Sequence, residues 1–344
     1  MPSGSSCRQL ARFRDVHSHR LPGKRQFEQQ LAALDALRQA APESRVEPLR
    51  KALGHKNNFL AAKAAHLTRE LNLQELTPDL IAAFDRFFEN AEKSDPQCWA
   101  KNAISKALAA FDLQEPDVFL RGMRHIQLEP VWGGQSDTAG TLRSTCALAL
   151  VQCRKLPDAD LLAQLVDLLA DKDKAVRIEV VRAIEQIGSP AASLLLRLRA
   201  NLGNDEPEVL GACFAGILHL EGASAIPWVV RFLSTADDTA GEAALALAAT
   251  HAPAAFTALK DCFETVRDHW FRSVLLSAIA LTRQDEATEF LLDLVKSDSL
   301  HAEVSIEALV RSAPSEEILS QLTKLTAENP RLSRVVADLT KSRS

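Results

Sequence analysis

A small residue recurs in one apolar helical segment after another along this chain: Ala65, Ala107, Ala149, Ala183, Gly216, Ala246, Ala278 and Ala308. The interval shortens along the chain but stays within the range of helical repeat units. Helices whose axes pack about 8–10 Å apart need a position without bulk where they cross. The recurrence therefore asks for paired helices, repeated. From Phe27 onward apolar residues follow helical spacing between short Pro, Gly, Asp and Asn punctuation, with almost no strict two-residue alternation. The absence of tyrosine and an aromatic content of 5% agree with helices rather than strands. The expected fold is all-α: a right-handed α-solenoid (α-α superhelix) of about eight helical pairs, each burying its apolar face only against its neighbours.

The clearest unit spans 158–188. Its first helix carries Leu161, Leu162, Leu165, Val166, Leu168 and Leu169; the turn is Asp171-Lys172-Asp173-Lys174. The second helix sets Val176, Val180, Ala183, Ile184 and Ile187 on one stripe, and Gly188-Ser189-Pro190 stops it and opens the next helix. The run Leu169-Ala170-Asp171-Lys172-Asp173-Lys174-Ala175-Val176-Arg177, continuing to Ala183-Ile184 and Ile187-Gly188, resembles a HEAT repeat of the bacterial, phycobilisome-lyase-like subclass. Elsewhere the likeness is one of helix length and small-residue spacing; Asp205-Glu206-Pro207-Glu208-Val209 keeps the acidic turn without the arginine. The resemblance implies a protein-binding scaffold. On this reading residues 1–25 are a leader and 26–344 one solenoid, with larger units over 26–157, regular units over 158–314 and a cap over 315–344.

Charge divides the chain. Residues 1–25 hold six basic side chains against the single Asp15, so the rest of the chain carries −10 where the whole carries −5. The leader reads as a solvated terminus, as an arm that folds back on the acidic body or meets nucleic acid, or as an organellar transit peptide, although it lacks a clear amphipathic stripe. A body at −10 offers no cluster to neutralise phosphates, so nucleic acid is not the expected partner, although a nucleic-acid-binding or DNA-repair-type protein with a basic arm is the alternative function. No apolar run of about 18 residues and no secretory signal are evident, so the expectation is a cytoplasmic protein that does not engage a membrane. The six cysteines contain no C-x-x-C pair and read as small buried residues.

Catalytic and cofactor signatures are missing from the sequence. None of the nine histidines precedes a glutamate, as di-iron hydroxylases of this architecture require, and there is no phosphate-binding glycine loop, nucleophile elbow or H-E-x-x-H. The expectation is no enzyme activity, no metal and no cofactor. His125, Glu129 and Asp137 lie close enough in sequence to be weighed as metal ligands or an acid–base group. Cys146 and Cys153, seven apart, suit core packing, and Arg177 is expected to pair with Asp173 or its neighbours along the stack.

Two departures from the repeat locate the candidate binding residues. The connector Gln127–Thr138 is longer than the usual helix–helix turn of about 2–8 residues and holds Trp132 beside Gly133-Gly134. Trp132, with Glu129 and Asp137, reads either as an anchor for a partner or as packing onto the flanking helices. The preceding unit has a long connector too, Asn90 to Gln97. Second, Val209–Leu220 has no formally charged residue and Ala243–Ala249 is all Ala and Leu. Such helices are either wholly buried or present an apolar interface; on the second reading Leu210, Phe214 and Leu218 contact a protein or peptide partner, basic to match the acidic body, a second copy of the chain or the chain's own tail.

Overall fold

The computed structural model describes residues 22–312 and 315–341. Residues 1–21 of the basic leader, with Cys7, lie outside the described residues, and helix α1 (Pro22–Ala36) begins within the span assigned to that leader. Contacts divide the chain into two compact units, residues 1–113 with 127–136, and residues 114–126 with 137–344, where the repeat pattern alone reads as one array from 26 to 344.

Unit 1 is built on α2 (Val46–Leu53), α3 (Asn58–Glu70), α4 (Thr77–Arg86), the short α5 (Ala91–Ser94) and α6 (Trp99–Ala110). Helix α3 packs on α1, α2 and α6, and α4 packs on α6. Ala65 and Ala107 lie in this contact fully buried. The connector 127–138, read as a loop, is instead a β-hairpin: β1 (Leu128–Val131) pairs with β2 (Gly134–Asp137). A two-residue turn closes it, and Gly133 takes φ +87°, a conformation glycine reaches without a Cβ clash.

Unit 2 repeats helix pairs. The second helices α8 (Gly140–Val151), α10 (Lys174–Ile187), α12 (Pro207–Glu221), α14 (Asp238–Ala249), α16 (His269–Leu281), α18 (Ala302–Arg311) and α20 (Pro330–Lys341) form one row in which each packs on the next. Each also carries a first helix: α7 (Pro116–Met123), α9 (Asp158–Leu165), α11 (Pro190–Leu202), α13 (Ile226–Val230), α15 (Pro253–Thr265), α17 (Asp285–Lys296) and α19 (Glu316–Thr326). This is the all-α solenoid architecture, with a closing pair over 316–341. The punctuation works as read: Asp173 caps α10 through the Ala175 N–H, Gly188 (φ +73°) ends it, and Ser189 caps α11 ahead of Pro190. Ala149, Ala183, Ala246, Ala278 and Ala308 are all buried in the second-helix row. At Gly216 the reason is measurable, since a Cβ there would lie 2.9 Å from Leu196 Cδ1 of α11.

One sequence expectation is corrected here. Pro207–Thr235 is a helical stretch long and apolar enough by length and composition to cross a membrane. In the fold it breaks at Gly222 (φ +64°), and α12 buries Val209, Cys213, Phe214 and Ile217 in the core of unit 2.

Candidate functional site

The most elaborately built segment of unit 1 is the kink between α5 and α6. Gln97 (φ 57°) and Cys98 (φ 53°) are consecutive non-glycine residues in the left-handed region, a conformation that disfavours L-residues by about 1–2 kcal/mol each. The surroundings over-determine it. Asp95 is fully buried and accepts from Ala100 N (2.8 Å), Lys101 N (3.0 Å) and Asn58 Nδ2 (3.0 Å), which satisfies the open N-terminus of α6. Lys101, equally buried, places Nζ 3.1 Å from Asp95 Oδ2 and donates to Phe87 O. Gln127 donates to Asp95 O (2.9 Å) and Cys98 Sγ lies 3.3 Å from its Oε1, while Glu129 of β1 accepts from Gln97 N and Gln127 Nε2, both at 2.6 Å. Strain held this firmly is characteristic of binding and switch positions.

The kink delivers Trp99 to the surface, half exposed. Its Nε1 donates to Gln97 Oε1 (3.1 Å) and its ring lies 4.8 Å from that of Phe59 on α3, also half exposed. Beside this aromatic pair is a cavity of about 200 Å³ lined by His66, Gln97, Trp99, Asn102, Ala103 and Lys106. Burial lowers the His66 pKa, and the charges of Arg69, Lys106 and Lys63 lower it further, which favours the neutral ring. Among the described residues nothing donates to the buried Asn102 Oδ1.

Of the residues singled out from the sequence, Trp132 stands fully exposed at the hairpin turn, at 103%; it does not tuck onto flanking helices. Glu129 is not a free surface carboxylate, because it fastens the hairpin to the kink. Asp137 is likewise committed: it accepts from Ala139 N and pairs with Arg143 at 2.6 Å. Leu210, Phe214 and Leu218 are 5%, 0% and 5% exposed, and Phe214 packs 4.6 Å from the Phe232 ring. The docking role expected of these three is corrected: α12 is apolar because its neighbours cover it. Cys146 and Cys153 are buried, and burial pushes the Cys146 thiol up. Among the described residues no three His, Cys, Asp or Glu side chains converge as metal ligands, His125, Glu129 and Asp137 included.

Unit 2 contains a charge ladder along its turns. Buried Arg143 of α8 pairs with Asp137 of its own turn and, through two nitrogens at 2.7 and 3.0 Å, with Asp171 of the next. Arg177 of α10 repeats the move. It donates to Asp171 O and grips Asp205 of the following turn at 2.7 Å, with Glu206 alongside. Of the partners expected from the sequence, Asp173 or its neighbours along the stack, Asp173 caps the helix and the neighbouring Asp171 and Asp205 receive the arginine. The ladder is legible in the sequence: Asp95, Asp137, Asp171 and Asp205 recur at the repeat interval, and Lys101, Arg143 and Arg177 each stand six positions after the aspartate of their own turn. The next position in that register is Gly211, where a Cβ would lie 2.9 Å from Cβ of Glu242. Nothing local in the sequence marks Trp99, Phe59 or Asn102, and reading the chain in order passes over them.

On the open side of the second-helix row, α12 shows Ala212, Ala215 and His219, α14 shows Glu242, Leu245 and Ala249, and α10 shows Glu179, Arg182 and Glu185. Among the described residues Glu242 has no ion-pair partner, and burial together with Glu208 raises its carboxyl above the ordinary value.

A family model for HEAT repeats matches residues 135–202, the stretch that holds the Arg143 and Arg177 rungs. The match identifies the repeat type and not the phycobilisome-lyase-like subclass. No curated protein matches the chain.

Proposed function

We propose that this chain, a HEAT-repeat protein, is a non-catalytic cytoplasmic scaffold that holds a protein partner, with Trp132 as an anchor. HEAT repeats commonly serve as protein-interaction scaffolds. The observation that carries the finer reading is Trp132, wholly exposed at the tip of a hairpin that Glu129 and Gln127 fasten in place, with Leu128 and Val131 half exposed behind it. An indole in that position gains nothing from its own fold, whereas buried in a partner's pocket it is worth about 2–4 kcal/mol, the range of interface hot spots. Unit 2, with 31 acidic against 23 basic residues, carries a formal −8, and its second-helix row offers small side chains between glutamates. A basic segment of the partner is the complement of that surface.

The test is affinity purification of the tagged protein from its native cells after nuclease treatment, wild type beside Trp132→Ala. The expected result is a stoichiometric protein partner whose recovery falls at least tenfold in the variant, with Tm unchanged because the side chain is wholly exposed. Recovery of nucleic acid alone, and only when nuclease is omitted, would refute the reading.

A further inference from the structure

We propose that the pocket beside Trp99 in unit 1 is a second binding site, one that takes a peptide segment carrying an apolar side chain next to a carboxylate. The inference rests on the scaffold reading and assigns the chemistry of one part of the partner.

Three features of the pocket select that ligand. The first is the aromatic pair: Trp99 and Phe59 sit half exposed with centroids 4.8 Å apart, and two adjacent helices thereby offer a continuous apolar surface on which one side chain of a ligand can lie. The second is Asn102, on the same helix as Trp99 and three residues on. Its buried Oδ1 lacks a donor, and an acceptor desolvated without a partner is destabilising in the free protein. A carboxamide carries an acceptor and two donors, the complement of a peptide unit, so an extended segment laid across α6 that draws the Asn102 side chain outward supplies the missing N–H and can take a hydrogen bond in return. The third is charge. Lys106 lines the pocket and Arg69 lies close enough to bias His66; among the described residues neither has a carboxylate partner. By contrast Lys63 is already paired with Asp35 at 2.7 Å and Arg38 with Glu70. Two unpaired cations suit one or two carboxylates of a peptide and are too few to follow a run of phosphates.

The strained backbone fits the same role. Gln97 and Cys98 leave the favoured region in the residues that lead into Trp99, and Gln97 Oε1 orients the indole through its N–H. The platform is thus pre-organised, which spares a ligand the cost of ordering it.

The experiment is selection of a random dodecapeptide library displayed on phage against the full chain. Consensus peptides would then be synthesised and titrated against wild type, Asn102→Ala, Lys106→Glu and Trp132→Ala. The expected consensus places Phe, Leu, Ile or Trp within three residues of Asp or Glu. Asn102→Ala and Lys106→Glu should each weaken it at least tenfold, and Trp132→Ala should not. Removing Asn102 should leave Tm unchanged or raised, since its buried acceptor lacks a partner in the free protein; a lowered Tm would make it a structural residue and overturn its role. Enriched peptides that bind Asn102→Ala and Lys106→Glu as well as wild type overturn the pocket and leave the scaffold reading intact. A basic consensus, or salt-sensitive binding of oligothymidylate lost in Lys106→Glu, assigns the pocket to another ligand. No enrichment at all overturns the pocket and leaves the scaffold reading to stand or fall on the affinity purification.

Discussion

Replacing Arg177 by methionine tests whether the charge ladder holds the repeats of unit 2 together. The guanidinium side chain is 9% exposed and the Asp205 carboxylate 2%, so the pair is in a poorly solvated setting. Removing one member of such a pair leaves the other charged and desolvated, at a cost of about 3–5 kcal/mol. Asp205 keeps Arg199 and the Glu206 N–H as partners, which places the expectation at the low end, about 3 kcal/mol. Methionine retains the apolar stem, so little of that loss comes from packing. For a unit of this size about 3 kcal/mol corresponds to a fall in Tm of about 6–12 °C. Urea unfolding followed by circular dichroism gives the free energy, and calorimetry gives Tm. A double-mutant cycle with Asp205→Asn should return a coupling of at least about 1 kcal/mol. Arg182→Ala is the internal control, because the Arg182–Glu179 pair lies on the surface with the arginine 57% exposed; its loss should stay within about 0.5 kcal/mol. A loss below about 1 kcal/mol for Arg177→Met, or additive single variants, would refute the ladder as a source of stability. The pH dependence follows from Asp205. Burial alone would raise its carboxyl, but hydrogen bonding with Glu206 and Arg177 and the charge of Arg199 hold it below the ordinary value. A depressed folded pKa means the stabilisation is complete above the unfolded value and is lost as pH falls through the folded one; Arg177→Met should flatten that acid limb.

Three further outcomes are expected. Phe214→Ala should cost about 3–5 kcal/mol by opening a cavity among Trp228, Phe232 and the α12 core; in denaturant titrations any weakened partner binding in this variant should track the unfolded fraction. Glu242→Gln should raise Tm by about 1–2 °C at pH 7.5 and not at pH 4, because burial and Glu208 raise the native carboxyl, so its charge opposes folding only once it ionises. His301 is the reverse case. Burial, then the positive Arg272, lower its pKa, and its Nε2 lies 3.3 Å from Arg272 Nη1 and accepts its hydrogen bond when neutral. Its contribution is therefore present above the unfolded value of about 6.5 and is lost as pH falls through the lower folded one. His301→Gln should show a smaller drop in Tm between pH 7 and pH 5 than wild type.

What the sequence by itself determined is the repeat: helices, their pairing and their ends. These depend on local physics, since a helical apolar period, an Asp or Ser cap and a Gly stop act within a few residues of one another, and a small residue at each crossing is required wherever two helices meet. The tertiary structure decided everything that depends on what lies opposite. Periodicity cannot say whether an uncharged helix is a core or an interface, and α12 is core because both neighbouring repeats cover it, which buries Leu210, Phe214 and Leu218. Arg177 reaches Asp205 of the following turn rather than Asp173 of its own, because that turn stacks beside its helix and Asp173 is occupied as a cap. Asp137 and Glu129 look like free loop acids in one dimension and are fasteners in three. Trp132 and Trp99 each stand alone in the sequence, and only the fold shows that one is wholly exposed on a hairpin turn while the other is held against Phe59 in a pocket that Asn102 also lines. Exposure and hydrogen-bond satisfaction are properties of a surface made by distant segments, and a chain read in order does not contain that surface until it folds.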